Sequence, residues 1–261
     1  MKLSRNHVLL PLFLLLITVV ACSRLWNTEP KSGSQFLIKV KCEPANCESD
    51  VKLTIGILES RASALGLNYK SELKSKDEIV FRIGVTDDPE RIKKILFSNE
   101  RLELRHVISS SSPSPVQQYN SLEEAKAAVK DGQEALPYSD SGYPNEKKYV
   151  ITKTEPIVSG KDIRDAQAVS RDSRDYQISF SLKKEGAVKF GEWTAANINQ
   201  YMAVVLNKEV KSVAYIKSQI TDSGEISGRF TKQSAEDLVL VLRSGVMPAP
   251  IELLEETVFG K

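Results

Sequence analysis

The chain has 261 residues, 41% of them hydrophobic, which is enough to bury a sizeable core and too polar for a protein that crosses a membrane many times. Lysine and arginine total 36 against 34 aspartates and glutamates, and Lys2 and Arg5 fall in an acid-free N-terminal stretch, so the remainder is balanced and carries no footprint for nucleic acid. His7 and His106 are the only histidines, which argues against histidine-rich metal sites and against Ser-His or Cys-His catalysis, and no phosphate loop, nucleophile elbow or zinc spacing appears. The residues therefore predict no catalytic site, no metal and no cofactor.

The N-terminus reads as an address. Residues 1–6 are basic and residues 8–20 almost wholly apolar; that run is too short for a bilayer-spanning helix of roughly 20 residues and matches a secretory signal. It ends Val19-Val20-Ala21-Cys22, which resembles a bacterial lipobox, in which the cysteine is lipidated before cleavage ahead of it. The alternative is an uncleaved signal anchor with an incidental cysteine. Either way the expected location is the cell envelope, outside the cytoplasm, with a lipid on Cys22 holding the body to an inner or outer membrane. Cys42 and Cys47 suit that compartment: as a disulfide they would close a short loop and contribute about 2 kcal/mol, the alternative being two free thiols. Residues 22–34 read as a polar, lipidated linker.

From residue 35 the pattern becomes periodic. Phe36, Ile38 and Val40 alternate as a strand. Ser49 is a candidate N-cap for a helix running to Leu65, with Gly66 as its stop. Strands follow over 67–73 and 78–85, then a helix opened by Asp87-Asp88-Pro89 and a strand over 101–108. The order β-α-β-β-α-β predicts an α+β fold with a ferredoxin-like base over 35–146. His106 is in phase with Leu102, Leu104 and Ile108 and is expected to pack. A Ser/Pro-rich break lies at 109–115, a short helix at 122–130 and an irregular stretch at 136–145.

The second block opens with a strand at 148–152 and a loop with a short helix over 159–170. A strand is expected at 176–182, a helix at 183–200 and a hairpin around Asn207-Lys208. A short strand at 225–230 leads to a helix capped by Thr231 and ended by Gly245. A last strand at 251–258 follows Pro248 and Pro250. Asp162, Asp165, Asp172 and Asp175 interleave with Arg164, Arg171 and Arg174, a run that suits a solvated face better than a catalytic cluster.

Three stretches resemble the periplasmic ectodomain of SecD, a membrane subunit of the bacterial protein-export machinery. They are Ile57-Leu58-Glu59-Ser60-Arg61-Ala62-Ser63-Ala64-Leu65-Gly66 with Asp88-Pro89-Glu90-Arg91; then Val158-Ser159-Gly160-Lys161-Asp162; then Ser223-Gly224-Glu225-Ile226-Ser227-Gly228, Phe230-Thr231 and Leu242-Arg243-Ser244-Gly245-Val246-Met247-Pro248-Ala249-Pro250. The resemblance implies a head subdomain at 147–247 inserted into the base, and a closing segment at 248–261 that returns to it. It implies a role in protein export, with unfolded or extended secretory polypeptide and Sec translocase components as partners. Gly224, Gly228, Phe230, Gly245, Pro248 and Pro250 are its motif residues, for fold or for client contact. A scaffolding envelope lipoprotein and a hydrolase are the alternative functions.

Overall fold

The computed structural model describes residues 29–109, 116–138, 147–170 and 175–260. The signal segment, Cys22, Arg171, Asp172, Arg174 and most of the Ser/Pro-rich break lie outside the described residues.

The first layer is a four-stranded antiparallel sheet in the order β13-β1-β3-β2. β1 (Gly33–Val40) and β3 (Glu78–Gly84) alternate strictly, so Phe36, Ile38, Val40, Ile79, Phe81 and Ile83 point to one side. That side is covered by α1 (Cys47–Ala64) and α2 (Pro89–Leu96), whose Val51, Leu58, Ala62, Ile92 and Leu96 complete the core. β2 (Tyr69–Leu73) is one edge. β13 (Ile251–Phe259) is the other, paired with β1 along its length around one bulge near Ile38. α2 starts on Asp88, whose carboxylate accepts the Arg91 amide at 3.1 Å, with Pro89 in the first turn. α1 begins at Cys47, not after Ser49: Asn46 is its N-cap, and the Ser49 hydroxyl donates back to the Asn46 carbonyl. Cys42 and Cys47 are joined as a disulfide across the turn before this helix, with Cα atoms 4.9 Å apart.

The strand expected to complete this sheet goes elsewhere. β4 (Leu102–Ile108) pairs with β10 (Tyr201–Leu206) on one side and with β6 (Lys148–Lys153) and β7 (Val158–Ser159) on the other. The boundary expected at 146 therefore cuts through a sheet. The physical reason is burial on both faces: Leu102 and Leu104 point one way, Arg105 and Val107 the other, and all four are buried. β4, β10, β11 (Glu209–Tyr215), β5 (Gln133–Tyr138) and β6 pair in a circuit that closes on itself. Val107, Leu136, Val150, Tyr201, Ala203, Val205 and Val210 fill its interior. The Arg105 guanidinium shares that interior face, ion-paired with Glu103 and Glu134 opposite the small Ala203.

The third layer is β8 (Ile163–Ser170), β9 (Tyr176–Leu182) and β12 (Ser223–Phe230), in the order β12-β9-β8, with α4 (Lys184–Ala196) and α5 (Lys232–Ser244). Its core is continuous with the outer face of β4 and β10: Ile178, Phe180, Phe190, Leu238 and Leu242 pack with Leu102, Leu104, Met202 and Val204. Two expectations fail here. Residues 160–162 form the expected short helix but 163–170 continue as a strand, and β5 at 133–138 runs into the start of the stretch at 136–145 expected to be irregular. The short helix α3 (Leu122–Ala128) lies where expected, capped by Ser121.

Candidate functional site

An open groove of about 630 Å³ runs between α2 and the edge strand β13. Ile38, Ile251, Leu253 and Phe97 give it an apolar floor, and Phe97 is held edge-on against Phe36 at 5.0 Å. Glu90, Lys93 and Lys94 of α2 form one wall, and Lys93 bridges Glu90 and Glu256 at 3.0 Å each. Those two carboxylates hold the Lys93 pKa above its ordinary value. Asn207, in the β10–β11 turn, closes the far end and accepts the Arg101 amide at 3.0 Å. Asn207 and Lys208 both have positive φ, 52° and 65°, as a two-residue turn of this hand requires.

Lys94, Ser98 and Glu100 also line a second, smaller cavity of about 160 Å³ between α2, α5, β10 and Phe230. Glu100 thus stands where the two cavities meet. Burial pushes its pKa up, while Lys94, Arg61 and Lys211 pull the other way and Asp237 adds to the rise.

Beneath this junction lies Arg61, fully buried on α1. It donates to the carbonyls of Ile95, Leu96 and Ser98 at the end of α2 and of Gly245 past the end of α5, and to the Ser244 hydroxyl at 2.9 Å. One cation therefore binds carbonyls at two helix ends and meets both negative dipole ends. Burial pushes its pKa down to about 10, with Glu100 opposing, so it is charged at neutral pH. Arg91 of α2 adds a bidentate pair to Asp237 of α5, down to 2.6 Å.

The six expected motif residues do not converge. Gly224 of β12 is paired with Phe180 of β9, and a Cβ there would meet the Phe180 ring at 2.6 Å. A Cβ at Gly228 would meet the Phe230 ring at 2.9 Å. Phe230 is half-buried against the head core and lines the smaller cavity. Gly245 ends α5 with φ 94°, and its carbonyl is one of the acceptors of Arg61. Pro248 is exposed between the buried Met247 and Ala249 of the base core, and the Pro250 carbonyl accepts the Lys41 amide at 2.8 Å.

Residues 133–249 match the family described as "SecDF, P1 head subdomain". The protein translocase subunit SecD of Koribacter versatilis is 34% identical over 185 residues, 70% of this chain and 33% of that protein. SecD of Aquifex aeolicus is 32% identical over 214 residues, 82% of this chain and 40% of that one. The chain carries a SecD-type periplasmic domain. It spans only about two fifths or less of the length of these two relatives. A solved structure of SecDF, described as a membrane component that enhances protein export, superposes with a TM-score of 0.64 at 24% identity over 85% of this chain and 98% of that one, a likeness of fold. No helix among the described residues is long and apolar enough to cross a membrane.

Among the described residues of the mixed charge run, Asp162 and Asp165 have separate partners. Asp162 accepts from the amide and hydroxyl of Ser159, at 2.9 and 3.2 Å, and Asp165 pairs with Arg243 at 2.8 Å. His106 packs against Trp193 with ring centroids 5.3 Å apart, and burial lowers its pKa. Sequence reading missed Phe97, Glu100, Asn207 and Leu253 as neighbours. They come from three segments far apart in sequence: the connection after α2, the β10–β11 turn and β13.

Proposed function

We propose that this SecD-type domain acts in protein export outside the cytoplasm, where it holds extended polypeptide without changing it covalently. The observation that carries this reading is the groove between α2 and β13: an apolar floor beside an exposed strand edge suits a chain with no fixed side-chain sequence. The fold supports it too. We read β1-α1-β2-β3-α2 as a ferredoxin-like base closed by β13, with everything between α2 and β13 inserted. Weak binding is expected, because ordering a flexible client opposes the contact energy by several kcal/mol. Sec translocase components are the proposed setting, and no nucleotide or metal is required.

The tether belongs to the same proposal. Gly260 sits so close to Lys31 and Ser32 that a Cβ there would collide with them, and Pro30 lies against Gly84, so both ends of the described body emerge at one end of the base sheet. Cys22 lies seven residues before Glu29, a reach of about 25 Å at full extension. A lipid on Cys22 would hold that end towards the membrane.

The test is site-specific photocrosslinking to an unfolded secretory polypeptide, with the probe at Leu253 in the groove or at exposed Val188 on α4. Crosslinks from position 253 and none from 188 are expected. Crosslinks from 188 alone would move the holding site to the head. Crosslinks from neither would leave a scaffolding lipoprotein as the better reading.

A further inference from the structure

We propose that β13 accepts an additional strand along its free edge, and that the strand it accepts is an extended cationic segment whose apolar side chains fill the groove. This rests on the polypeptide-holding role above and specifies what is held and how. Among the described residues β13 pairs with β1 on one side and ends the sheet on the other, so main-chain donors and acceptors are open along a nine-residue strand without proline. The opposite edge is guarded. β2 has five residues, and its Lys70 and Glu72 are locked with Glu29 and Arg82 in a charge network.

The two faces of β13 differ in a way that dictates the incoming side chains. By register, Ile251, Leu253, Glu256 and Val258 share a face with Val40, Ile38, Phe36 and Ser34, the face on which the groove lies, and Glu256 is already neutralised there by Lys93. Glu252 and Glu255 share the opposite face with Lys39 and Leu37. A strand laid against this edge alternates in step, one side chain over Leu253 and Phe97 and the next beside Glu252 or Glu255.

Charge then selects the occupant. Ile251–Phe259 carries three glutamates and no basic residue. Glu252 and Glu256 each meet one lysine, Lys41 at 3.2 Å and Lys93 at 3.0 Å, and Lys39 is engaged with Asp77. Glu255 is exposed with no ion pair among the described residues. A second copy of the same edge would set glutamates against glutamates, which opposes self-pairing. A segment alternating apolar and basic residues meets complementary groups on both faces.

The experiment uses the full chain in detergent and fluorescent peptides of about ten residues, long enough to span the edge. One alternates valine and lysine, one valine and glutamate, and one is the lysine peptide N-methylated on alternate amides. Binding is read by anisotropy at low salt, and amide exchange is followed over 251–259. The lysine peptide is expected to bind at least about tenfold tighter than the glutamate peptide, since each cross-strand charge pair changes affinity by up to about fivefold. N-methylation should abolish binding, Glu255→Lys should shrink the preference below about threefold, and exchange over 251–259 should slow with peptide. If the lysine peptide binds but N-methylation and Glu255→Lys change nothing, edge addition is wrong and the holding role stands. If no peptide of either charge binds, both fall. If 251–259 becomes protected by raising protein concentration alone, the edge belongs to a second copy and the proposal is overturned.

Discussion

Glu100 is a carboxylate placed where two cavities meet, and its energetics follow from what surrounds it. Burial favours the protonated form, while Lys94, Arg61 and Lys211 favour the charged one, and the net effect is a raised pKa. The folded state therefore binds the proton more tightly than the unfolded chain. That contribution to stability is fully present below the ordinary carboxylate range near about pH 4 and is lost as pH rises through the raised folded value. At neutral pH the ionised side chain opposes folding. Glu100→Gln should therefore raise the thermal midpoint at pH 7 and give no gain at about pH 4, as thermal denaturation at the two pH values would show. A variant less stable than the parent at neutral pH would mean that the three cations outweigh burial. Nothing in Ser98-Asn99-Glu100-Arg101 marks this glutamate. Its environment comes from α1, α5 and β11, which lie far away in sequence.

Among elements, β13 and β4 show what alternation can and cannot specify. Phe36, Ile38 and Val40 mark a strand and its inner face, and the Asp88-Pro89 cap and the Asn207-Lys208 turn mark element ends through backbone chemistry that acts locally. A strand's neighbour is not local information. Leu102, Leu104 and Val107 identify β4 equally well beside β1 or beside β10. β8 was hidden because its inward residues are small, Ala166 and Ala168, and a bulge between Ile163 and Asp165 breaks the period. β5 was hidden by Pro137 and by Glu134, which points inward to Arg105. The observed pairing makes a prediction that separates the two sheets. Ending the chain after Gly245 removes β13 and the buried Met247 and Ala249. Amide exchange in β1 should accelerate at least about tenfold, while β4 keeps its protection through β6 and β10. Equal loss in both strands would mean that the two sheets unfold as one unit.

At the scale of the whole molecule, the fold class was visible in the order of elements, but the groove was not, since Ile38, Phe97, Asn207 and Leu253 meet only once α2 has been fixed against α5 and β13 has returned to β1. What holds α2 to α5 is therefore what shapes the site. Two devices do so: Arg61, bonded to both helix ends, and the Arg91–Asp237 pair between their sides. The second can be measured without a buried charge being stranded, because both partners keep partial access to solvent, with side chains 33% and 24% exposed. A double-mutant cycle of Arg91→Ala and Asp237→Ala, read by urea denaturation, should give a coupling of about 1–2 kcal/mol, above an ordinary surface pair because the contact is bidentate and half-buried. The coupling should weaken with added salt, since part of the contact is reached by solvent. If the cycle closes to zero while both single variants stay folded, Arg61 and burial of the apolar residues around it, Ile95 and Val241 among them, hold the two helices on their own, and the outer ion pair only decorates the junction.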